Sequence, residues 1–420
     1  MNSNSQSEKQ TSSVLSKRNT SFRDDVLRLV TGTGIAQIIG IIFMPILSRL
    51  YAPEAFGIIA FFISLTSILS IIACMRYELS IVLPDNDSDA ANLLGVSLLF
   101  SVLITFCTIL IIWFGGTIIL DWLNMLELAP YLWLIPVMVL FQGLFTAFNY
   151  WNTRTKHFTR LSVANVSRKL VDNTGMLGAG FAGYATGGVM IIANVGGQVI
   201  ATSVLGGQIL SDHAKFFIKS IKWQKMITGM KRYRKFPLYS SWSILLNTVS
   251  WQLPVLMLGA YFSPIIVGYY ALGFRILQLP MNLIGHAISQ VFIQRASEAR
   301  NEGNLGPLVE TLIQRLMVLG LLPALMLSII GKDLYVVIFG SNWAEAGVYT
   351  QILSLWAFIW FLSSPLSTIF SVLERQEFGL KWNLLLLLTR IASLGIGGII
   401  GDVYIALILL SITGIVVYIY

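Results

Sequence analysis

Apolar segments long enough to cross a bilayer recur along the whole chain, with polar stretches between them. A spanning helix takes about 20 predominantly apolar residues. The pattern predicts twelve spans, near 28–48, 55–74, 92–113, 131–150, 163–183, 187–210, 236–260, 264–290, 312–331, 347–370, 382–400 and 403–420. In hydrocarbon each backbone N–H and C=O must find its partner within the protein, so such segments fold as helices. Charged residues make up only 11% of the chain, against about 25% in soluble domains. The expected fold class is an all-α polytopic membrane protein.

The cations sort by side. Of the 28 Lys and Arg, 24 fall in the N-terminal tail or in the loops after even-numbered spans. Arg49 and Lys332 fall on the opposite side, and Arg275 and Arg390 fall inside spans. This asymmetry predicts that both termini are cytoplasmic. The net charge of +8 then sits against the anionic inner leaflet and needs no nucleic-acid partner. Residues 1–25 are polar and lack the apolar core of a signal peptide, so they read as a disordered cytoplasmic tail. Cys74 and Cys107 lie in apolar runs without metal or redox spacing, and read as buried small side chains. No metal site and no cofactor is expected.

The stretch 211–235 holds eight Lys/Arg and separates 26–210 from 236–420, two segments of six spans each. It reads as a basic cytoplasmic linker anchored at the membrane interface. The two halves share a motif. Pro45, Pro53, Gly57 and Ala60 in PILSRLYAPEAFGIIA correspond to Pro254, Pro264, Gly268 and Ala271 in PVLMLGAYFSPIIVGYYA, with two extra residues between the prolines of the second copy. Equal halves with one starting side indicate duplication, hence two six-helix bundles. Gly175, Ala179 and Gly183, at spacing four, predict close helix contact within the first bundle.

Polar residues inside spans are expensive and mark function. Arg275 lies about 18 Å down its span at roughly 1.5 Å per residue. Gln278, Asn282, His286 and Ser289 continue its stripe on a 3.6-residue helix. The one carboxylate at comparable depth is Asp172, for which Arg168 and Lys169 are local partners. Arg275 therefore either faces a hydrated cavity, where its planar fork suits phosphate oxygens, or pairs with Asp172. Arg390 is also near mid-depth, and binding and structural roles are both open to it. Arg49 either binds substrate or snorkels to the interface. Arg76 and Glu78 read as a helix-end ion pair or a lobe contact. His286 is either a proton carrier or a packed histidine. Milder polar faces include Asn247, with Ser240, Ser243 and Ser250, and Gln37 with Thr33. These groups bond either sugars or a neighbouring helix. Trp356 and Trp360 serve packing or sugar stacking.

TGTGIAQIIGIIFMPILSRLYAPEAFG and RYELSIVLPDND, across Thr31–Pro84 and just beyond, resemble the opening of bacterial polysaccharide-biosynthesis and O-antigen flippases. These belong to the multidrug/oligosaccharidyl-lipid/polysaccharide superfamily. YYALGFRILQLP, with Tyr269, Tyr270, Arg275 and Pro280, is similar to the eighth helix of peptidoglycan-precursor flippases. The resemblance implies two bundles around a central cavity and a polyprenyl-diphosphate-linked oligosaccharide substrate in the bacterial cytoplasmic membrane. It also implies work alongside a polysaccharide polymerase and chain-length machinery. No Walker, HExxH or GxSxG motif is present. The reading is therefore a transporter and not an enzyme. Outer loops of about 17 residues at most argue against a polymerase or ligase. A drug/cation antiporter remains the alternative, and it would want a carboxylate in the lumen.

Overall fold

A computed structural model of the chain describes residues 34, 37–302, 304–369, 373 and 376–419. The tail 1–25 and Thr33 lie outside them. Helices account for nearly everything described, and no strand occurs among these residues. In the first half they are α1 (Gln37–Leu50), α2 (Pro53–Ser70), α3 (Asp87–Trp122), α4 (Leu134–Arg154), α5 (Phe158–Phe181) and α6 (Gly187–Ser220). A short α7 (Trp223–Arg232) follows. In the second half they are α8 (Ser241–Tyr261), α9 (Pro264–Leu277), α10 (His286–Glu302), α11 (Leu305–Phe339), α12 (Ala344–Ser363), α13 (Gln376–Ile400) and α14 (Val403–Ile419). With α9 and α10 forming one broken crossing, this is a twelve-span, multi-pass membrane protein. Eight of the spans are long and apolar enough to qualify on those grounds alone. α5 is 24 residues long and carries charges in its middle.

Local chemistry sets the boundaries. Pro53 and Pro264 each occupy the first turn of their helix, where a missing N–H leaves no bond unmade. α3 continues to Trp122, so the loop between α3 and α4 shrinks to residues 123–133 and is shorter than hydropathy predicted. The eighth span is not one helix. Pro280 has no N–H to give. The backbone passes through a wide π turn, Met281–Gly285, before α10 begins. The single stripe expected from Arg275 to Ser289 is thereby interrupted. Gly183 lies in the turn after α5, with φ +87°. The small-residue face therefore stops one turn early, and Gly175 alone of its glycines meets α6, at Ala193. Cys107 is exposed on α3, contrary to expectation, whereas Cys74 is buried.

The basic linker is helical and docked. Met226 of α7 is buried against Val96 and Tyr77 of the first half. The Lys222 backbone N–H donates to Asn92 Oδ1 at 2.8 Å, and Asn92 Nδ2–H donates to the Ser220 carbonyl at 2.9 Å. This end of the molecule is the linker side, and the other is the far side.

The spans form two six-helix bundles, α1–α6 and α8–α14. On the far side a single apolar core runs through both, from Tyr51, Phe56 and Phe61 to Val267, Tyr270 and Trp343. Toward the linker side the core divides into separate clusters. One set is built from the first half, around Trp151 and Met226, and another from the second, around Leu316 and Phe292. The bundles therefore join at the far side and part at the linker side. Several contacts make the join. Trp343 Nε1–H donates to the Ser48 carbonyl at 2.7 Å, and Ser48 Oγ–H to the Phe339 carbonyl at 3.2 Å. Asn124 Nδ2–H reaches the Phe262 carbonyl at 3.1 Å. α2 and α9 cross at the duplicated motif itself. A Cβ on Gly57 would lie 1.8 Å from the Pro264 carbonyl oxygen, and one on Gly268 would lie 1.9 Å from that of Pro53.

Candidate functional site

Below the far-side join the bundles enclose a cavity of about 410 Å³. α2 lines it with Thr66, Ser67 and Ser70, α4 with Gln142 and Thr146, α6 with Asn194, and α8 of the other bundle with Thr248. Its charged residues are Arg168 and Lys169 of α5 and the pair Arg76–Glu78 beyond α2. Arg168 and Lys169 lie ten and eleven residues into α5, which places them about 15 Å inside at 1.5 Å per residue. Sequence reasoning had counted both among the loop cations, because hydropathy starts this span at 163. The helix starts at Phe158 and carries them to mid-depth. The pairing of Asp172 with Arg168 or Lys169, read from their spacing, already implied that these cations reach the carboxylate's level, and Lys169 does so.

Asp172 is buried, with its Oδ2 3.7 Å from Lys169 Nζ and accepting a 3.5 Å hydrogen bond from Asn194 Nδ2. Arg275 approaches the same cluster from the second bundle, close enough to feel both Asp172 and Lys169. It forms no ion pair among the described residues. Its side chain is exposed and passes beside Gly40 of α1, where a Cβ would meet Nη2 at 3.4 Å. Four cations, Arg76, Arg168, Lys169 and Arg275, thus face two carboxylates, Glu78 and Asp172. Two positive charges are in excess.

Arg76 stands at the linker-side lip. Met75 and Arg76 have φ of +49° and +61°, a left-handed pair that costs non-glycine residues roughly 1–2 kcal/mol each. The turn reverses the chain after α2. Arg76 Nη1 lies 3.3 Å from Oε1 of Glu78, whose side chain is only 2% exposed. Burial lifts the Glu78 carboxyl above its ordinary value, while Arg76 pulls it down.

A family described as polysaccharide biosynthesis protein matches residues 46–348. The chain belongs to that family. Among solved structures, the lipid II flippase MurJ in an inward closed conformation aligns with TM-score 0.74 at 12% identity, covering 93% of this chain and 86% of that one. An inward-facing multidrug resistance MATE family transporter of the MOP superfamily aligns with TM-score 0.71 at 14% identity, covering 94% and 96%. The Vibrio cholerae MATE transporter VcmN in its bent form gives 0.57 at 11% identity, covering 95% of each chain. At these identities the likeness is one of fold. No curated protein matches the chain.

The remaining sequence candidates scatter. Arg390 does not face the cavity. It is buried in the second bundle, where Nη1–H donates to the Ser250 carbonyl at 2.6 Å and to its Oγ at 3.0 Å. Its guanidinium lies 4.2 Å over the Trp251 ring. Trp356 and Trp360 stack beside it, 6.1 Å apart, with Trp251 4.8 Å from Trp360. Arg49 is on the far side, where Nη2–H donates to the Val337 carbonyl of the other bundle at 3.1 Å. Asn247 donates from Nδ2 to Asn383 Oδ1 at 3.2 Å and lines a second compartment of about 760 Å³ that shares Arg76 with the first. Gln37 and Asn282 are exposed, and Gln278 is half-buried just before the break in the span. The side chain of His286 lies outside the described residues.

Proposed function

We propose that the protein is a flippase that carries a polyprenyl-diphosphate-linked oligosaccharide from the cytoplasmic to the outer leaflet of the bacterial cytoplasmic membrane. The linker side is then cytoplasmic, as its eight Lys/Arg favour. The observation that carries the reading is the mid-depth cluster built from both bundles, with two cations in excess. A diphosphate diester brings two negative charges. Guanidinium forks and a lysine away from bulk water hold such a group strongly. The cavity opens where a substrate made on the cytoplasmic face would enter, and the apolar core seals the opposite end. Rocking of the bundles about that join would expose the same cluster to the outside, which is alternating access. The glycan and diphosphate occupy the cavity while the prenyl chain stays in lipid.

An antiporter of organic cations fits this cavity less well. Both carboxylates of the cluster are already engaged, Asp172 by Lys169 and Glu78, which lines the cavity, by Arg76. Deletion of the gene followed by analysis of lipid-linked intermediates tests the proposal. Completed units should accumulate on the inner leaflet. Units that reach the outer leaflet but fail to polymerise would point to a polymerase or ligase instead.

A further inference from the structure

The second compartment differs in chemistry from the first. Its walls carry Tyr239, Ser243 and Asn247 from the first half of α8 and the turn before it, and Asn383 from α13. Arg76 and Lys235 stand at its rim, and no carboxylate lines it. Its volume of about 760 Å³ falls in the range of small-molecule sites, about 300–1,000 Å³. The two spaces are continuous in lining. Arg76 belongs to both, and the neighbours Asn247 and Thr248 line the second and the first. A molecule whose charged part sat among Arg168 and Lys169 would have room to extend into the second space.

The amide pair shows what that extension is. The bond from Asn247 Nδ2 to Asn383 Oδ1 fixes both side chains. Among the described residues neither Asn247 Oδ1 nor Asn383 Nδ2 has a protein partner. One is an acceptor and the other a double donor. Adjacent ring hydroxyls, each a donor and an acceptor, complement that arrangement. Tyr239 is 72% exposed and lines the compartment, and a free aromatic face suits the apolar side of a pyranose ring. A prenyl chain would leave the amides unpaired, at the cost of burying polar groups against hydrocarbon. The order along the cavity agrees, because Tyr239 lies in the turn before α8 and Ser243 in its first turn, at the linker side, while Arg168 and Lys169 lie deeper.

We propose that this compartment recognises the first sugar attached to the diphosphate, with Asn247 and Asn383 bonding its hydroxyls and Tyr239 stacking on its ring. The inference rests on the flippase reading and assigns it a sugar subsite. The test uses full-length purified protein and short-chain prenyl diphosphates, either bare (sugar-free, with the terminal phosphate capped as its methyl ester so that every probe is a diester with two negative charges) or carrying N-acetylglucosamine, glucose or galactose. Wild type should bind at least one sugar-bearing probe about tenfold more tightly than the bare diphosphate, as two net hydrogen bonds allow. Asn247→Ala with Asn383→Ala should bind both kinds of probe equally, at the wild-type level for the bare diphosphate. Lys169→Gln should weaken all probes alike. A sugar preference that survives the double substitution overturns the subsite, as does wild type without any preference. Loss of every probe in the double variant overturns the division between compartments. Failure of wild type to bind any probe overturns the flippase reading and the subsite with it, an outcome distinct from loss of preference alone.

Discussion

Gly57→Ala and Gly268→Ala act where the two copies of the duplicated motif meet. At each site a Cβ would stand 1.8 or 1.9 Å from a backbone carbonyl oxygen of the other helix, where ordinary contact begins at 3.4 Å. A carbonyl in a helix cannot swing aside as a side chain would, so α2 and α9 must part by about 1.5 Å. A gap of even 0.5–1 Å forfeits a quarter to a half of the dispersion attraction across a contact. Overpacking of this kind costs about 1–3 kcal/mol. The cost falls only on the state in which the far side is closed. Far-side-open molecules should therefore gain about 5- to 150-fold in relative population. A reporter cysteine at Thr248→Cys, in a background lacking Cys74 and Cys107, reads this directly. A membrane-impermeant maleimide added outside intact cells should label it slowly in the parent and much faster with either alanine. Equal labelling in parent and variants, with protein levels unchanged, would refute the claim that the glycine crossing seals the far side.

Other consequences follow from the same geometry. Arg275→Gln should abolish transport with the protein still folded, and Asp172→Asn in the same chain should not restore it. Normal transport by that double variant would make Arg275 a structural counter-ion. Arg390→Leu removes the bonds to Ser250 and the stacking on Trp251. It should cost about 1–3 kcal/mol of stability in thermal melts while leaving diphosphate affinity unchanged, and lost affinity in folded protein would place Arg390 in the site after all. Glu78 binds its proton more tightly folded than unfolded, because burial raises its carboxyl above 4.5. Its contribution thus favours the fold at low pH and is lost as pH rises through the folded value. Melting temperatures should fall across that window, and Glu78→Gln should flatten the slope. A slope unchanged by Gln would belong to another group. Reporters fused near Lys222 should read as cytoplasmic and those near Phe262 as external, and an external signal at Lys222 would invert the assigned direction of transport.

Much of the architecture was legible because two independent patterns agree, the apolar period and the side-to-side cation count. The site was less so. Hydropathy averages over windows, so Arg168 and Lys169 were drawn to the loop although α5 holds them at mid-depth. Depth can be counted from a helix end, but the direction a side chain faces is decided by neighbours distant in sequence. Arg275 and Arg390 look alike in the sequence. One passes Gly40 toward the other bundle, and the other is closed over by Ser250 and Trp251. Pro280 was in plain view, yet the eighth span was read as one continuous helix, because a proline inside an apolar run breaks or merely kinks it according to how its neighbours pack. Gly57 and Gly268 were visible as a repeat, yet nothing local says that the two copies press on each other. That contact exists only once the bundles dock.

The central claim is that a cationic cavity shared by two bundles moves a diphosphate-linked glycan across the membrane. Purified protein in liposomes, given a fluorescent polyprenyl-diphosphate oligosaccharide in one leaflet, tests it most directly. Protein-dependent arrival of the glycan in the opposite leaflet should occur with wild type and be lost with Lys169→Gln in folded protein. Absence of glycan transfer by wild type, with uptake of an organic cation in the same vesicles, would contradict it.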